Sequence, residues 1–294
     1  MSALLEDFEI KNVQALYLAV RSLFRDADLA EADLDARVLT AEALGIEPRN
    51  LVLEYDREIS PEVLAVITRY AEERLAGKPV GRILGKREFW GLEFSLSQAT
   101  LEPRPDTETL VEATLAFCQA NGGFDRSWVF ADIGTGTGAI AIALLSELPN
   151  AICVAVDISE EALETARQNA ASNGFESRFI PVRGSYLDAL NGPFDFVVSN
   201  PPYIRSAVIE GLSHEVKQHD PMLALDGGDD GLTAYKELIG NAKRVLKRNS
   251  GLLMEIGFDQ AEELSTLARE LVGLDVRCEH DLAGQPRVIV VVFP

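Results

Sequence analysis

A tetrapeptide with unusual hydrogen-bonding properties follows a short apolar stretch in the second half of the chain. Asn200, Pro201, Pro202 and Tyr203 come directly after the sequence FDFVVS, which has the character of a buried strand. The prolines fix φ and remove two N–H donors, so the turn is rigid and presents carbonyl oxygens, and the asparagine side chain adds another acceptor. Two acceptors suit an NH₂ group, and the flat tyrosine ring suits stacking on a planar amide or base.

A second candidate binding element is a glycine-rich turn that lies upstream, after another apolar strand. Asp132 and Ile133 precede an alternation of glycine and threonine at Gly134, Thr135, Gly136, Thr137 and Gly138. Glycines at such a turn let the backbone approach a ligand closely. About 20 residues later the next strand ends in Asp157, and an acid at that point can accept both hydroxyl groups of a ribose. We therefore expect a nucleoside-containing ligand here.

The glycine turn alone fits more than one ligand. Gly134, Gly136 and Ala139 satisfy the looser dinucleotide fingerprint, so a nicotinamide or flavin cofactor is one alternative, and a strand–helix turn without a ligand is another. S-adenosylmethionine has no pyrophosphate to be held by a helix N-terminus, and it combines a nucleoside with an amino-acid tail. It is the favoured ligand, because Asn200 follows a later strand at the same edge of the sheet and predicts methyl transfer to a planar nitrogen.

Helical patterns fill the beginning of the chain. Apolar residues recur at helical spacing from Val13 to Phe24 and from Leu34 to Leu44, and Gly45 is a plausible stop. Ser60 followed by Pro61 is typical of a helix start. These patterns predict a small helical domain over residues 1–85. A β-hairpin over residues 86–104 is expected to link it to the next domain.

Strands and helices alternate in the remainder, residues 105–294. A helix capped by Arg104 or Asp106 is expected first, and the alternation starts at Trp128. Such a β-α-β-α series implies an open, mostly parallel sheet with helices on its faces. The last two strands, DVRCEH and RVIVVVF, have a connection too short for a parallel crossover, so one of them must be antiparallel.

Composition narrows the classes of partner. The net charge is −20, with 47 acidic and 27 basic residues, whereas nucleic-acid binders usually have a basic face. This balance favours a protein or small-molecule partner over direct nucleic-acid binding. Cys118, Cys153 and Cys278 are scattered and suggest no metal site. The acidic start, MSALLEDFEIKN, and the lack of a long apolar run predict an untargeted cytoplasmic protein without a membrane segment.

At this point the sequence resembles the peptide chain release factor glutamine N(5)-methyltransferases over nearly its whole length. The resemblance is carried by GRILGKREFWGLEFSLSQATLEPRPDTETLVE, IGTGTGAIAIAL, VAVDIS, SNPPYI, LALDGGDDGL and the helical DLDARVLTAEALG. The motif NPPY alone is shared with adenine amino-methyltransferases, but its combination with PRPDTE and the helical start is more specific. The resemblance implies an α/β fold with a Rossmann-like class I S-adenosylmethionine methyltransferase sheet.

The resemblance also implies functions for particular residues. Contacts to S-adenosylmethionine are implied at Gly134 to Gly138, Asp157, Tyr186 and Asn200, and contacts to a substrate glutamine at Asn200, Pro201, Pro202 and Tyr203. The implied substrate is the glutamine of the Gly-Gly-Gln motif in bacterial class 1 release factors, and the product is S-adenosylhomocysteine. A ribosomal-protein glutamine methyltransferase, an adenine amino-methyltransferase and a non-catalytic adaptor remain alternatives.

Two positions depart from the pattern of that family. Ser185, before Tyr186, stands where many members carry an acid, and a hydroxyl cannot take the place of a carboxylate there. Glu102 replaces an apolar residue just before PRPDTE.

Overall fold

The chain forms two compact units, divided in sequence between Leu84 and Gly85. They are seen in a computed structural model that describes residues 3–5, 8–212 and 214–294. This description leaves out four residues near the N-terminus, Met1, Ser2, Glu6 and Asp7. They belong to the stretch MSALLEDFEIKN, which is predicted to carry no targeting signal. Among the described residues, no helix is long and apolar enough to cross a membrane.

The first unit is helical, as its apolar spacing predicts. Its helices are α1 (Val13–Asp26), α2 (Ala32–Leu44), α3 (Pro61–Leu75) and α4 (Val80–Leu84). The predicted signals act where expected: Ser60 Oγ accepts the N–H of Val63 at 3.4 Å, and Gly45 ends α2 in the left-handed conformation. The apolar faces meet in a core of their own around Leu16, Phe24 and Ile67.

The second unit begins with the predicted antiparallel hairpin, formed by β1 (Lys86–Phe89) and β2 (Leu92–Ser95). Helix α5 (Glu108–Ala120) follows after a 3₁₀ turn at Pro105–Thr107. Of the two predicted caps, Arg104 occupies the N-cap position of this turn, whereas the N-cap of α5 is Thr107 and not Asp106. Neither Arg104 nor Thr107 makes a capping hydrogen bond with its side chain. The turn leads the chain from the hairpin to the edge of the main sheet.

The main sheet has seven strands in the order β5-β4-β3-β6-β7-β9-β8. The strands are β3 (Val129–Ile133), β4 (Ile152–Asp157), β5 (Phe179–Arg183), β6 (Phe194–Ser199), β7 (Leu246–Glu255), β8 (Val276–His280) and β9 (Pro286–Phe293). The helices between them are α6 (Ala139–Glu147), α7 (Glu160–Ser172), α8 (Ser206–Ile209), α9 (His214–His219), α10 (Thr233–Val245) and α11 (Ala261–Val272). Strand β9 runs antiparallel to β7 and β8, and the other pairs are parallel, which confirms the predicted fold.

Helices cover both faces of this sheet, which is why its central strands are apolar. Every residue of β6 is buried, and Phe196 stacks on Phe130 with ring centroids 4.8 Å apart. One apolar cluster lies on each face, one including Phe117 and Phe196 and the other including Tyr235 and Met254. The strand order reverses at β3, whose neighbours are β4 and β6, so a crevice opens at the carboxyl ends of these strands.

Candidate active site

The carboxyl ends of four neighbouring strands bring the polar residues of the site together. Gly134 follows β3, Asp157 ends β4, Asn200 follows β6 and Glu255 ends β7. In the register of β6 and β7, Met254 lies opposite Ser199, so Glu255 lies level with Asn200. The parallel strands thereby align residues that are far apart in sequence along one edge of the sheet.

The glycine turn has the backbone geometry that only glycine adopts readily. Gly134, Gly136 and Gly138 have φ values of +71°, +55° and +81°. A Cβ at Gly138 would come 3.1 Å from Ile142 Cδ1 and 3.2 Å from Ala166 Cβ, whereas a Cβ at Gly134 would meet nothing within 4 Å. Gly138 therefore allows α6 to pack closely, and Gly134 leaves open space at the cleft.

Two carboxylates hold the turn in shape. Asp157 accepts the N–H of Gly136 and the N–H of Ser159, each at 2.9 Å, so the ends of β3 and β4 are tied together. Burial raises the pKa of Asp157, and these backbone N–H groups oppose the rise. Asp132 is fully buried, and its Oδ2 accepts the Thr135 hydroxyl at 2.7 Å. Burial raises the pKa of Asp132 to about 7.

Asn200 is held from the side of the turn before α5. Its Nδ2 donates to Thr107 Oγ1 at 3.2 Å, and Ser199 Oγ beside it donates to the Ile133 carbonyl at 2.7 Å. Pro201 is buried and Pro202 is half-buried. With its nitrogen committed to Thr107, the asparagine amide has its oxygen available for another partner.

Two glycines and a glutamine form the back of the Asn-Pro-Pro-Tyr corner. A Cβ at Gly227 would lie 2.9 Å from the Pro202 carbonyl oxygen, and one at Gly231 would lie 2.6 Å from the Tyr203 carbonyl oxygen. The buried Gln260 donates from Nε2 to the carbonyl oxygens of Tyr203 and Gly231, both at 3.2 Å. Close backbone packing therefore fixes the corner.

A cleft with a volume of about 290 Å³ joins the glycine turn to the corner, near the lower end of small-molecule pockets. The predicted site residues in its walls are Gly134, Thr135, Gly136, Thr137, Asp157, Tyr186, Asn200, Pro201 and Pro202. Gly138 and Tyr203 are not in the walls. The Tyr203 ring is half-buried against the cluster that includes Tyr235, and burial, together with the Glu255 carboxylate, raises the pKa of the Tyr203 hydroxyl.

The two departures from the family pattern also lie in the walls of the cleft. Glu102 lines it and forms an ion pair with Arg87 at 3.4 Å. Ser185 lines it beside Tyr186. Arg104 lines the cleft as well and pairs with Asp220 at 3.7 Å, so the mouth of the cleft carries charges of both signs.

Sequence reasoning missed two residues that matter to the geometry of the corner. Thr107 lies within PRPDTE, a motif that the sequence singled out without naming the threonine. Glu255 is an acid at the end of an apolar strand, which is the signal that could have indicated it, because the same signal led to Asp157. Within residues 3–5, 8–212 and 214–294, no three His, Cys, Asp or Glu side chains are grouped as metal ligands.

Family comparisons assign both parts of the chain. The family described as "Methyltransferase small domain" matches residues 117–219, and the family described as "PrmC N-terminal domain" matches residues 15–85. The first of these matches lies within the second unit, and the other covers most of the helical unit.

Curated relatives match nearly end to end. A release factor glutamine methyltransferase from Bradyrhizobium diazoefficiens is 47 % identical over 286 residues, covering 97 % of this chain and 96 % of its own. One from Agrobacterium fabrum is 44 % identical over 255 residues, covering 87 % and 88 %. The crystal structure of a methyltransferase from Pyrococcus furiosus, 19 % identical with a TM-score of 0.51, covers 77 % of this chain and 98 % of its own and shares the fold.

Proposed function

The chain belongs to the release factor glutamine methyltransferases, and from this premise we propose the reaction that it catalyses. It transfers a methyl group from S-adenosylmethionine to the side-chain amide nitrogen of the glutamine in the Gly-Gly-Gln motif of bacterial class 1 release factors. The observation that carries the proposal is that Asn200 and Pro201 line the same cleft as the glycine turn and Asp157.

The cleft residues fit S-adenosylmethionine. Gly134 leaves space where a side chain would otherwise stand. The Asp157 carboxylate at the end of β4 is suited to accept ribose hydroxyl groups, while its bonds to Gly136 and Ser159 keep it in position. Tyr186 offers a flat face for the adenine. When bound, the cofactor supplies a methyl group on a sulfonium, a good leaving group, and the reaction as proposed uses no metal.

The difficulty of the reaction lies in the acceptor. An amide nitrogen is a weak nucleophile, because its lone pair is delocalised into the carbonyl group. Asn200 Oδ1 and the Pro201 carbonyl oxygen can accept the two N–H bonds of the substrate amide, which orients the nitrogen and stabilises the positive charge that develops there. The remaining requirement is a separation of about 3–3.5 Å between nitrogen and methyl carbon. The nitrogen loses its proton after the transfer, so no strong base is needed first.

Pro202 and Tyr203 complete the proposed substrate site. Pro202 shares the wall with Asn200, and its ring stiffens the turn. Tyr203 is proposed to stack on the planar amide, although its ring packs on the core in this structure. A modest rotation about its side-chain bonds upon substrate binding is part of this proposal.

The helical unit is the proposed site of substrate recognition. Residues 15–85 match a family distinct from the methyltransferase domain, and every residue in the walls of the cleft belongs to the other unit. A separate unit without cleft residues is suited to holding a protein substrate. Because class 1 release factors act in bacterial translation, we expect the enzyme in the cytoplasm. The net charge of −20 favours a protein partner and no direct binding of nucleic acid.

Methyl mapping tests the proposal. The purified chain is incubated with S-adenosylmethionine carrying a labelled methyl group and with a class 1 release factor, a ribosomal protein fraction or DNA. Mass spectrometry then locates the label. The expected result is one methyl group on the glutamine amide of the Gly-Gly-Gln motif.

The other outcomes identify the alternatives. Label on adenine and none on glutamine would overturn the proposed substrate in favour of an adenine amino-methyltransferase. Label on a ribosomal protein glutamine alone would reassign the protein substrate. Cofactor binding without transfer to any acceptor would favour a non-catalytic adaptor. A release factor whose Gly-Gly-Gln glutamine is replaced by asparagine serves as the matched control.

A further inference from the structure

Buried polar groups continue from Asn200 through Thr107, which also lines the cleft, to Glu255 at the end of β7. Asn200 Nδ2 donates to Thr107 Oγ1 at 3.2 Å, and the Thr107 hydroxyl lies close enough to the Glu255 carboxyl to lower the pKa of that group. Thr107 is 5 % exposed and Glu255 is 1 % exposed. The second carboxyl oxygen, Oε2, has no hydrogen-bond partner among the residues that the structure describes. A buried carboxyl with an unpaired oxygen is costly, so a compensating benefit is expected at this position.

The benefit concerns the direction of the asparagine amide. An amide group has an oxygen on one side and a nitrogen on the other, and the two differ little in size. A threonine hydroxyl can donate to the oxygen or accept from the nitrogen. Thr107 alone therefore does not decide which end of the Asn200 amide faces the cleft. The reaction requires the oxygen there, because the substrate NH₂ group needs an acceptor.

We propose that Glu255 is a positioning residue that fixes the Asn200 amide through the Thr107 hydroxyl. An ionised carboxylate only accepts, so the Thr107 proton points to Glu255. The hydroxyl oxygen must then accept from Asn200 Nδ2, which turns Asn200 Oδ1 toward the substrate. The inference rests on the proposed function, since it concerns the same acceptor atom.

The surroundings of Glu255 make the direction of the Asn200 amide sensitive to pH. The titratable and charged groups around it are Arg104, Asp106, Tyr203, Tyr235 and Arg287. Burial raises the pKa of Glu255 to about 7, while the Thr107 hydroxyl and the two arginines act to lower it. Below that pH the neutral carboxyl can donate to Thr107, and the threonine can then donate to Asn200 and release the amide from its productive direction.

Three variants test the positioning. Thr107→Val keeps the volume and removes the hydroxyl, and kcat should fall about 10-fold or more, the scale of a misoriented reacting group. Thr107→Ser keeps the hydroxyl and should restore most of kcat. Thr114→Val is the matched control, because Thr114 is also buried but its hydroxyl donates only to the Leu110 carbonyl of its own helix. The affinity for S-adenosylmethionine should change little in all three.

The pH profile of kcat separates positioning from a purely structural effect. The wild-type profile should fall on the acidic side of about pH 7, the pKa of Glu255, and this limb should disappear in Thr107→Val and in Glu255→Gln. Asp132, whose pKa is also about 7, is unchanged in every variant. An acidic limb that persists in the variants can therefore come from Asp132, and only a limb that disappears supports the positioning role of Glu255. If Thr107→Val does not fold, Glu255→Gln and the wild-type profile decide.

The outcomes distinguish this inference from the function on which it rests. An active wild type whose kcat is altered no more by Thr107→Val than by Thr114→Val would overturn the positioning role. An active wild type with the same acidic limb in Glu255→Gln would do so too. A wild type that binds S-adenosylmethionine but leaves release factor unmethylated contradicts the proposed function itself.

Discussion

At the scale of single residues, the proposed chemistry depends on two oxygen atoms, Asn200 Oδ1 and the Pro201 carbonyl oxygen. Asn200 and Pro201 are adjacent, and both line the cleft beside the glycine turn. A lone acceptor would leave one substrate N–H bond unmatched in a partly buried site, which is unfavourable. Two acceptors match both N–H bonds and fix the plane of the substrate amide at the same time.

The first prediction concerns the asparagine. Asn200→Ala removes one acceptor and should lower kcat by about 10²-fold or more, the usual loss when a preorganised polar contact to the reacting group is removed. The affinity for S-adenosylmethionine, measured by calorimetry, should suffer less, because the glycine turn and Asp157 are unchanged. Turnover close to that of the wild type would remove Asn200 from the mechanism.

The second prediction concerns the stability of Glu255→Gln at different pH values. The folded-state pKa of Glu255 is raised from 4.5 to about 7, so its protonated form stabilises the fold below about pH 4.5 and this contribution is lost as the pH rises through about 7. Glutamine stays neutral throughout. The melting temperature of the variant relative to the wild type should therefore be higher at pH 8 than at pH 5 by a few degrees. If the melting temperatures of the variant and the wild type differed by the same amount at both pH values, the burial of a charged group at this position would be contradicted.

Residues that follow a local pattern were the ones that the sequence revealed. Asn200 and Asp157 end or follow apolar strands, and their chemistry is visible without the fold. The contact of Thr107 with Asn200 and Glu255 joins three distant parts of the chain. Only the strand order brings those parts together, so no spacing in the sequence could predict it.

At the scale of elements, the segment after the short helices supports the catalytic corner. Ile204 N donates to the Leu225 carbonyl at 3.0 Å, and Gly227 N donates to the Ile204 carbonyl at 2.8 Å. The sequence LALDGGDDGL, which the family resemblance singled out, thus packs against the back of the corner. Gly227 and Gly231 are needed because backbone atoms of Pro202 and Tyr203 lie where a Cβ would stand.

The third prediction tests this support. Gly227→Ala would bring a Cβ within 2.9 Å of backbone atoms of Pro202 and Tyr203, so the corner must shift and kcat should fall about 10-fold or more. Overpacking of this kind should also lower the stability by about 1–3 kcal/mol. Thermal melting and turnover at saturating substrate measure both effects.

The control for this prediction is a glycine in open space. Gly240 is exposed on α10, and a Cβ there would meet nothing within 4 Å. Gly240→Ala should leave turnover unchanged and add up to about 1 kcal/mol of stability, because alanine favours the helix. Equal effects of the two substitutions would show that the packing behind the corner is not a constraint.

Elements with local signals were predictable, and elements that depend on pairing were less so. Ser159 caps α7 by accepting the N–H of Ala162 at 3.2 Å, which is the usual function of a serine before a helix. Strand β7 begins at Leu246, where Leu246 pairs with Phe194, and the register of the two strands shifts between Phe194 and Phe196. Residues 247–250 are polar, so no apolar pattern in the sequence marks this part of the strand.

At the scale of the whole molecule, the cleft lies in one unit and the proposed site of substrate recognition in the other. All residues in the walls of the cleft lie between Ala99 and Ala224, within the second unit. Among the residues that the structure describes, each unit has two apolar clusters of its own. Units with their own cores can in general fold alone.

The fourth prediction follows from this division. A fragment of residues 85–294 should fold and bind S-adenosylmethionine with an affinity close to that of the full chain. Its kcat/KM for intact release factor should fall about 100-fold or more, equivalent to losing about 3 kcal/mol of recognition. Calorimetry and a methylation assay measure the two quantities. A fragment that methylates release factor as well as the full chain does would contradict the recognition function of residues 1–85.

The most direct measurement is a crystal structure of the chain with S-adenosylhomocysteine and a peptide containing Gly-Gly-Gln. The account predicts the thioether against the glycine turn and the glutamine amide nitrogen within hydrogen-bond distance of both Asn200 Oδ1 and the Pro201 carbonyl oxygen. The nitrogen should face the sulfur, with room for a methyl group between them. A glutamine bound away from this corner, or a glycine turn that binds a nicotinamide cofactor instead, would contradict it.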